Sequence, residues 1–197
     1  MSTTTSINPT KDNWLVEALP NTNYGSGLRV QIGVHTNIKY MNGVFEFDVS
    51  AFSTPSDIVS AFFTLSADTS AGANTNTMTL ARLSQDFGET TCTWNTYDGS
   101  NGWTTAGGMD DAETTEQTYT FDVGTTADVS VDIRELMVDA INRRSGILRF
   151  ICFLDDTPSL GGYTKFYSKD SAATKPALDV TTADRMVWQG DHIPDQG

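Results

Sequence analysis

The sequence predicts an all-β domain, a sandwich or jelly roll, carrying one short amphipathic helix. Three observations predict it. Several short segments alternate apolar and polar residues, as half-buried strands do. The chain of 197 residues holds 29 threonines, a β-branched residue that favours strands. Turn-forming runs separate the segments, and only one stretch has helical periodicity.

The elements follow in order. Residues 1–12 are polar and Thr-rich, with Pro9, and read as an N-terminal arm. Residues 13–19 suit a first strand or a helical turn, and 23–27 (Asn-Tyr-Gly-Ser-Gly) are turn material. Strands are expected at 28–34, 44–49, 58–67 and 78–83, with a surface turn at 71–77. The stretch 98–116 is long, rich in Gly, Thr and acid, and reads as a loop.

The helix is expected at about 132–144. Ile133, Leu136, Met137, Ala140 and Ile141 make one apolar stripe. Asp132 and Glu135 suggest a capping box, Arg143 and Arg144 suit the negative end of the dipole, and Gly146 supplies the stop. The near-continuous apolar run 146–154 predicts a central strand covered on both faces. The last two strands are placed at 163–168 and 177–182. The module therefore spans 13–182, and 183–197 form a C-terminal tail. No period of 20–50 residues appears.

Composition narrows the function. A formal charge of −13 opposes binding to a phosphate backbone. No apolar run approaches the ~18–20 residues that cross a bilayer, so membrane insertion is not expected. Cys92 and Cys152 lie in apolar, strand-like surroundings. Two free buried thiols are the expectation, with pairing the alternative. With only two histidines and no Cys-x-x-Cys, a Cys/His zinc site is disfavoured. Hydrolase, P-loop, dinucleotide and metalloprotease signatures are missing, so no catalytic residue is assigned.

Several spaced segments carry a resemblance. They are Asn23-Tyr24-Gly25, Phe47-Asp48-Val49-Ser50, Glu89 to Asn95, the predicted helix, Phe166-Tyr167-Ser168, and Pro176-Ala177-Leu178-Asp179-Val180. In this order they resemble the DNRLRE-type domain, related to a family of carbohydrate-binding modules with alginate-binding members. The resemblance covers roughly 13–182. It implies a jelly-roll β-sandwich and non-catalytic binding. Phe87 stands where the pattern has Trp. Glu46 stands where a basic residue often precedes Phe-Asp. With the net charge, Glu46 argues against a polyanion ligand.

Trp103 in the predicted loop and Tyr97 at its start are candidate sugar contacts, because aromatic faces stack on the C–H surfaces of sugars. Asp98, Asp110 and Asp111 are candidate oxygen ligands for a structural calcium, although no calcium-loop motif is present. Trp94, Asn95, Tyr24 and Gly25 are read as structural, with Gly25 serving a positive φ. In the tail, Val187, Trp188 and Ile193 are candidate anchors for a partner.

The chain begins with Met, shows no secretion signal, and has an arm at each end of a lone module. These features predict a non-catalytic virion structural protein of a bacteriophage, a capsid decoration or fibre- or tail-associated module. It would sit on the virion surface, packed on capsid subunits or on copies of itself, and contact glycans. The alternative is a free or secreted carbohydrate-binding module or adhesin.

Overall fold

The computed structural model describes residues 2–37, 39–72, 74–154 and 161–183. Twelve strands are present among them: β1 (Ser2–Ile7), β2 (Lys11–Val16), β3 (Arg29–His35), β4 (Lys39–Asp48), β5 (Ile58–Leu65), β6 (Ala67–Gly72), β7 (Asn76–Arg82), β8 (Tyr119–Val123), β9 (Val129–Asp132), β10 (Ile147–Phe153), β11 (Gly162–Tyr167) and β12 (Ala177–Ala183). One helix, α1 (Arg134–Arg143), lies between β9 and β10. A four-stranded sheet runs β1-β12-β5-β9, and a curled eight-stranded sheet runs β6-β11-β3-β4-β10-β7-β8, with β2 added on β4. All pairings are antiparallel. The result is a β-sandwich.

The strand alternation explains the main core. Val30, Ile32 and Val34 of β3 point inward, as do Ala61, Phe63 and Leu65 of β5 and Leu178 and Val180 of β12. Phe63 meets Phe45 and Phe150 edge-on, with centroids 5.0 and 4.8 Å apart. Each fully buried ring contributes about 2–3 kcal/mol by removal from water. Gly43 keeps β4 close to β3, since a Cβ there would lie 2.8 Å from Ile32 Cδ1.

β10 is covered on both faces, as its apolar run predicts. Leu148, Phe150 and Cys152 face the main core. Ile151 and Phe153 face a second core with Leu15, Val44, Ala81, Trp94 and Trp103, on the outer side of the same sheet. The segment between β7 and β8, which includes the predicted loop 98–116, supplies Phe87, Cys92, Trp94 and Trp103 to that layer and serves as a lid on the sheet.

The structure differs from the expected elements in several places. Ser2–Ile7 pairs with β12, register Ser2↔Ala183 to Ile7↔Leu178, so the segment expected as an arm supplies an edge strand. The expected turn at 71–77 falls across β6 and the start of β7, and β8 and β9 are further strands. The helix spans only ten residues and has no capping box. The Asp132 carboxylate accepts from Arg134 N and Ala61 N, while Glu135 pairs with Arg134. Asp132 is thus shared between α1 and β5, a tertiary role invisible in a local motif. Cys92 and Cys152 are free and buried. The tail candidates Val187, Trp188 and Ile193 lie outside the described residues. Among those residues no helix is long and apolar enough to cross a membrane.

Candidate functional site

The loop residues singled out in the sequence are used within the fold. Trp103 is buried in the second core, and its Nε1 donates to Thr93 O at 2.9 Å. Tyr97 is half-buried and meets Trp103 edge-on, at 5.8 Å between centroids. A ring held this way offers no free face for a sugar at Trp103. The three carboxylates do not converge. Asp98 caps its own turn, accepting from Ser100 N at 2.8 Å and Asn101 N at 2.6 Å, and those bonds hold its pKa below the usual range. Asp110 accepts from Thr105 Oγ1. Asp111 is buried and accepts from Thr104 N, Thr104 Oγ1 and Gln85 Nε2.

The motifs behind the family resemblance meet in space as scaffold. Asn23 Nδ2 donates to the carbonyls of Glu89 and Cys92 at 2.8 and 2.7 Å. Gly25 does not have a positive φ. It is needed because a Cβ would lie 1.9 Å from Glu89 O. Glu46 is buried and bound by Lys11 Nζ at 3.0 Å and Arg149 Nε at 2.5 Å. Its acidity therefore belongs to an ion-pair network between strands and says nothing against an anionic ligand at the surface.

Among the described residues, Asp12, Glu89 and Asp170 form a close group of carboxylates, with oxygens within 4.8 Å of one another. The Lys169 ammonium already lies among them, 3.1 Å from both Glu89 Oε1 and Asp170 Oδ1. Lys169 N donates to Asp12 Oδ2 at 2.7 Å. Burial pushes the Asp12 carboxyl up to about 7, reinforced by the Glu89 charge and opposed by the Lys169 amide. The group acts as a strut that ties β2 to the segments at 89 and 168–171.

An open groove of about 490 Å³ lies where β2, β3, β4 and β11 meet. Three aromatic residues wall it: Trp14, Tyr24 and Tyr163. Trp14 and Tyr24 are close, with ring centroids 4.3 Å apart. Tyr163 lies 5.9 Å from the His35 ring. Gln31, Asn37 and Lys39 add an amide, a second amide and an ammonium, and the exposed Leu19 stands on the rim. Glu17 sets one edge: its Oε2 accepts from Tyr40 N at 3.2 Å, and its Oε1 lies 4.0 Å from Lys39 Nζ.

Strand alternation builds this groove. In β11 the buried residues are Gly162, Thr164 and Phe166, leaving Tyr163, Lys165 and Tyr167 outward. In β3 the outward positions are Arg29, Gln31, Gly33 and His35. Register places Tyr163 opposite Gly33 and Lys165 opposite Gln31. Gly33 has φ 131°, and a Cβ would lie 2.4 Å from Gly162 O and 2.7 Å from Tyr163 Cα. Glycine there lets β3 bend against β11 and bring Tyr163 beside His35. Beyond Lys165, Arg29 stacks on Tyr167 at 4.2 Å and pairs with Asp68 at 2.7 Å. The outward face of β3 and β11 thus carries cations although the whole chain is acidic.

Sequence reasoning missed this site. Its residues come from four strands and two connecting segments, and no local motif links them. The available signal was the alternation of β3 and of 163–167, which marks Gln31, His35, Tyr163 and Lys165 as outward. The family model that matches is that of carbohydrate-binding module family 96, over residues 3–182. No curated protein matches the chain.

Proposed function

The chain belongs to carbohydrate-binding module family 96, and from that premise we propose a non-catalytic module that holds a glycan in the β2-β3-β4-β11 groove. The observation that carries this reading is the pairing of aromatic walls with convergent amides and an ammonium in one open groove. Sugar rings present C–H faces to aromatic rings and hydroxyls to fixed polar groups. Tyr163 and Tyr24 supply faces, and Gln31, Asn37 and Lys39 supply hydrogen bonds. Kinship with alginate-binding modules would set uronate carboxylates against Lys39 and Lys165. That assignment draws support from the outward cations of β3 and β11.

Glycan-array binding followed by calorimetry tests the groove. Tyr163→Ala and Gln31→Ala should each weaken binding while the fold persists. Unchanged affinity in both variants would remove the groove from the reading. Acidic glycans whose binding falls with salt would mark the uronate reading, and salt-insensitive binding of neutral glycans would exclude it.

Within this function, we read the module as a surface component of a bacteriophage virion, packed on capsid or tail subunits or on its own copies and presenting the groove outward. An N-terminal segment built into the sheet as β1 favours it, because it sets an exposed strand without charged side chains at the end of the four-stranded sheet. Antibodies to the chain should label intact particles. Label found only in culture medium would favour the free or secreted module instead.

A further inference from the structure

We propose that the outer face of the four-stranded sheet holds a second glycan site, centred on Phe62 and selective for uncharged sugars. Phe62 is 40% exposed, although it lies in β5, whose other face carries Ala61, Phe63 and Leu65 into the main core. Alternation sets it outward with Ser60 and Thr64. β5 is flanked on both sides, by β12 and β9. Register places Asp179 opposite Phe62 on one side and Asp132 opposite it on the other. Opposed residues share a face, so the phenyl ring lies between two carboxylate positions about 10 Å apart.

The surroundings are low and hydroxyl-lined. Thr181 lies opposite Ser60, while Ala177 and Ser130 lie opposite Thr64. Beyond them, Thr4 and Ser6 of β1 stand opposite Thr181 and Asp179. Phe62 is the one aromatic ring among these outward residues. Val59, exposed where β5 bulges against β12, adds a second apolar group towards the end of the sheet.

Chemistry selects the occupant. An aromatic face takes the C–H side of a sugar ring, and carboxylates accept hydrogen bonds from its hydroxyls. Asp132 is already fixed, because its Oδ1 accepts from Ala61 N at 3.0 Å and from Arg134 N at 3.1 Å. Little freedom is lost when such a group meets a ligand. The outward residues of these four strands include no Lys or Arg. The Arg134 side chain donates to Ile58 O at 2.7 Å and pairs with Glu135. An acidic sugar would therefore meet two like charges without a counter-charge. The same carboxylates, in a chain of net charge −13, oppose a second copy. The groove on the eight-stranded sheet has the contrary make-up, with Lys39 in its wall. For a member of a carbohydrate-binding family, an uncharged glycan is the partner this face fits.

An amide NMR titration of the full chain tests the proposal. The probes are neutral hexasaccharides of glucose, mannose and galactose, with a hexauronate as the acidic comparison. Each is carried to roughly 5 mM, above the dissociation constant of about 0.1–1 mM expected of so small a site. At least one neutral probe should shift the amides of β5, β9 and β12. Phe62→Ala should weaken that binding about tenfold, and Asp179→Asn about threefold. Tyr163→Ala should leave those shifts unchanged, which separates this site from the groove. Neither Phe62 nor Asp179 is buried, and unchanged thermal unfolding checks that the fold persists. No shift in these strands with any neutral probe overturns the proposal. So do shifts that persist undiminished in Phe62→Ala, or a hexauronate that binds the face equally well. A concentration-dependent dimer abolished by Phe62→Ala would also overturn it, by giving the face to a second copy.

Discussion

Burial decides what each aromatic residue can do. Trp103 is 6% exposed with its indole N–H satisfied, whereas Tyr163 is half-buried on the outward face of β11. Trp103→Ala should cost about 3–5 kcal/mol of stability through the cavity it leaves in the second core, read by urea unfolding. Tyr163→Ala should leave stability within about 1 kcal/mol and weaken glycan binding by roughly tenfold. Asp12 gives a residue-scale pH effect. Burial pushes its carboxyl up to about 7 in the fold, from an ordinary value of 3.8. The folded state therefore holds the proton that the unfolded chain has already lost. Stability from this group is complete below about pH 4 and falls as pH rises towards 7, by up to about 4 kcal/mol, then levels off. Glu89, Lys169 and Asp170 face this group and fix where the fall occurs. Asp12→Asn should flatten that part of the stability profile, since an amide keeps an acceptor for Lys169 N and carries no charge. A profile as steep as that of the wild type would assign the effect elsewhere.

At the scale of elements, a bend shaped the groove and a lid closed the second core. The β3 bend depends on Gly33, where both φ and the closeness of β11 exclude a side chain. Gly33→Ala should destabilise the fold by roughly 1–3 kcal/mol and also lower glycan affinity, because Tyr163 must shift. Measuring unfolding and binding on the same variant checks both effects. The segment between β7 and β8 illustrates how far local composition carries. Residues 98–116 correctly read as irregular, whereas Cys92, expected in strand-like surroundings, also lies in irregular backbone, and Trp94, Trp103 and Phe87 make the segment a layer of the core. Irregular backbone can cover a sheet when its polar groups are satisfied internally. Asp98, Asp111 and Thr93 do that here.

At the scale of the whole molecule, the two cores enclose both thiols. Cys92 and Cys152 are fully buried in different clusters. Burial pushes Cys92 up to about 12 and Cys152 well above the ordinary thiol range. Thiolate is the reactive form. A thiol reagent should thus modify neither cysteine in the native protein and both after unfolding, which makes the pair a probe of global opening. Rapid native labelling of Cys92 would instead reveal local opening of the lid. The acidic net charge did not foretell the local surface, because Arg29, Lys39 and Lys165 gather on the side of the sandwich bearing the groove, where Asp68 pairs with Arg29 and Glu17 lies beside Lys39.

Periodicity by itself determined the strands β3, β4, β5, β7, β10, β11 and β12, the single helix, and the buried state of the thiols. These follow from local alternation and apolar content, which are properties of neighbouring residues. The spaced motifs likewise marked a carbohydrate-binding module family, and Asn23, Gly25 and Glu89 among them are tied to one another by close backbone contacts. Only the tertiary structure decided the groove, the place of β1 at a sheet edge, and the neutral reading of Glu46. Each depends on pairing between segments far apart in the chain: Tyr163 with Gly33, Ser2 with Ala183, Glu46 with Arg149. Register sets which side chains share a face, and register is fixed by the packing of the whole sandwich.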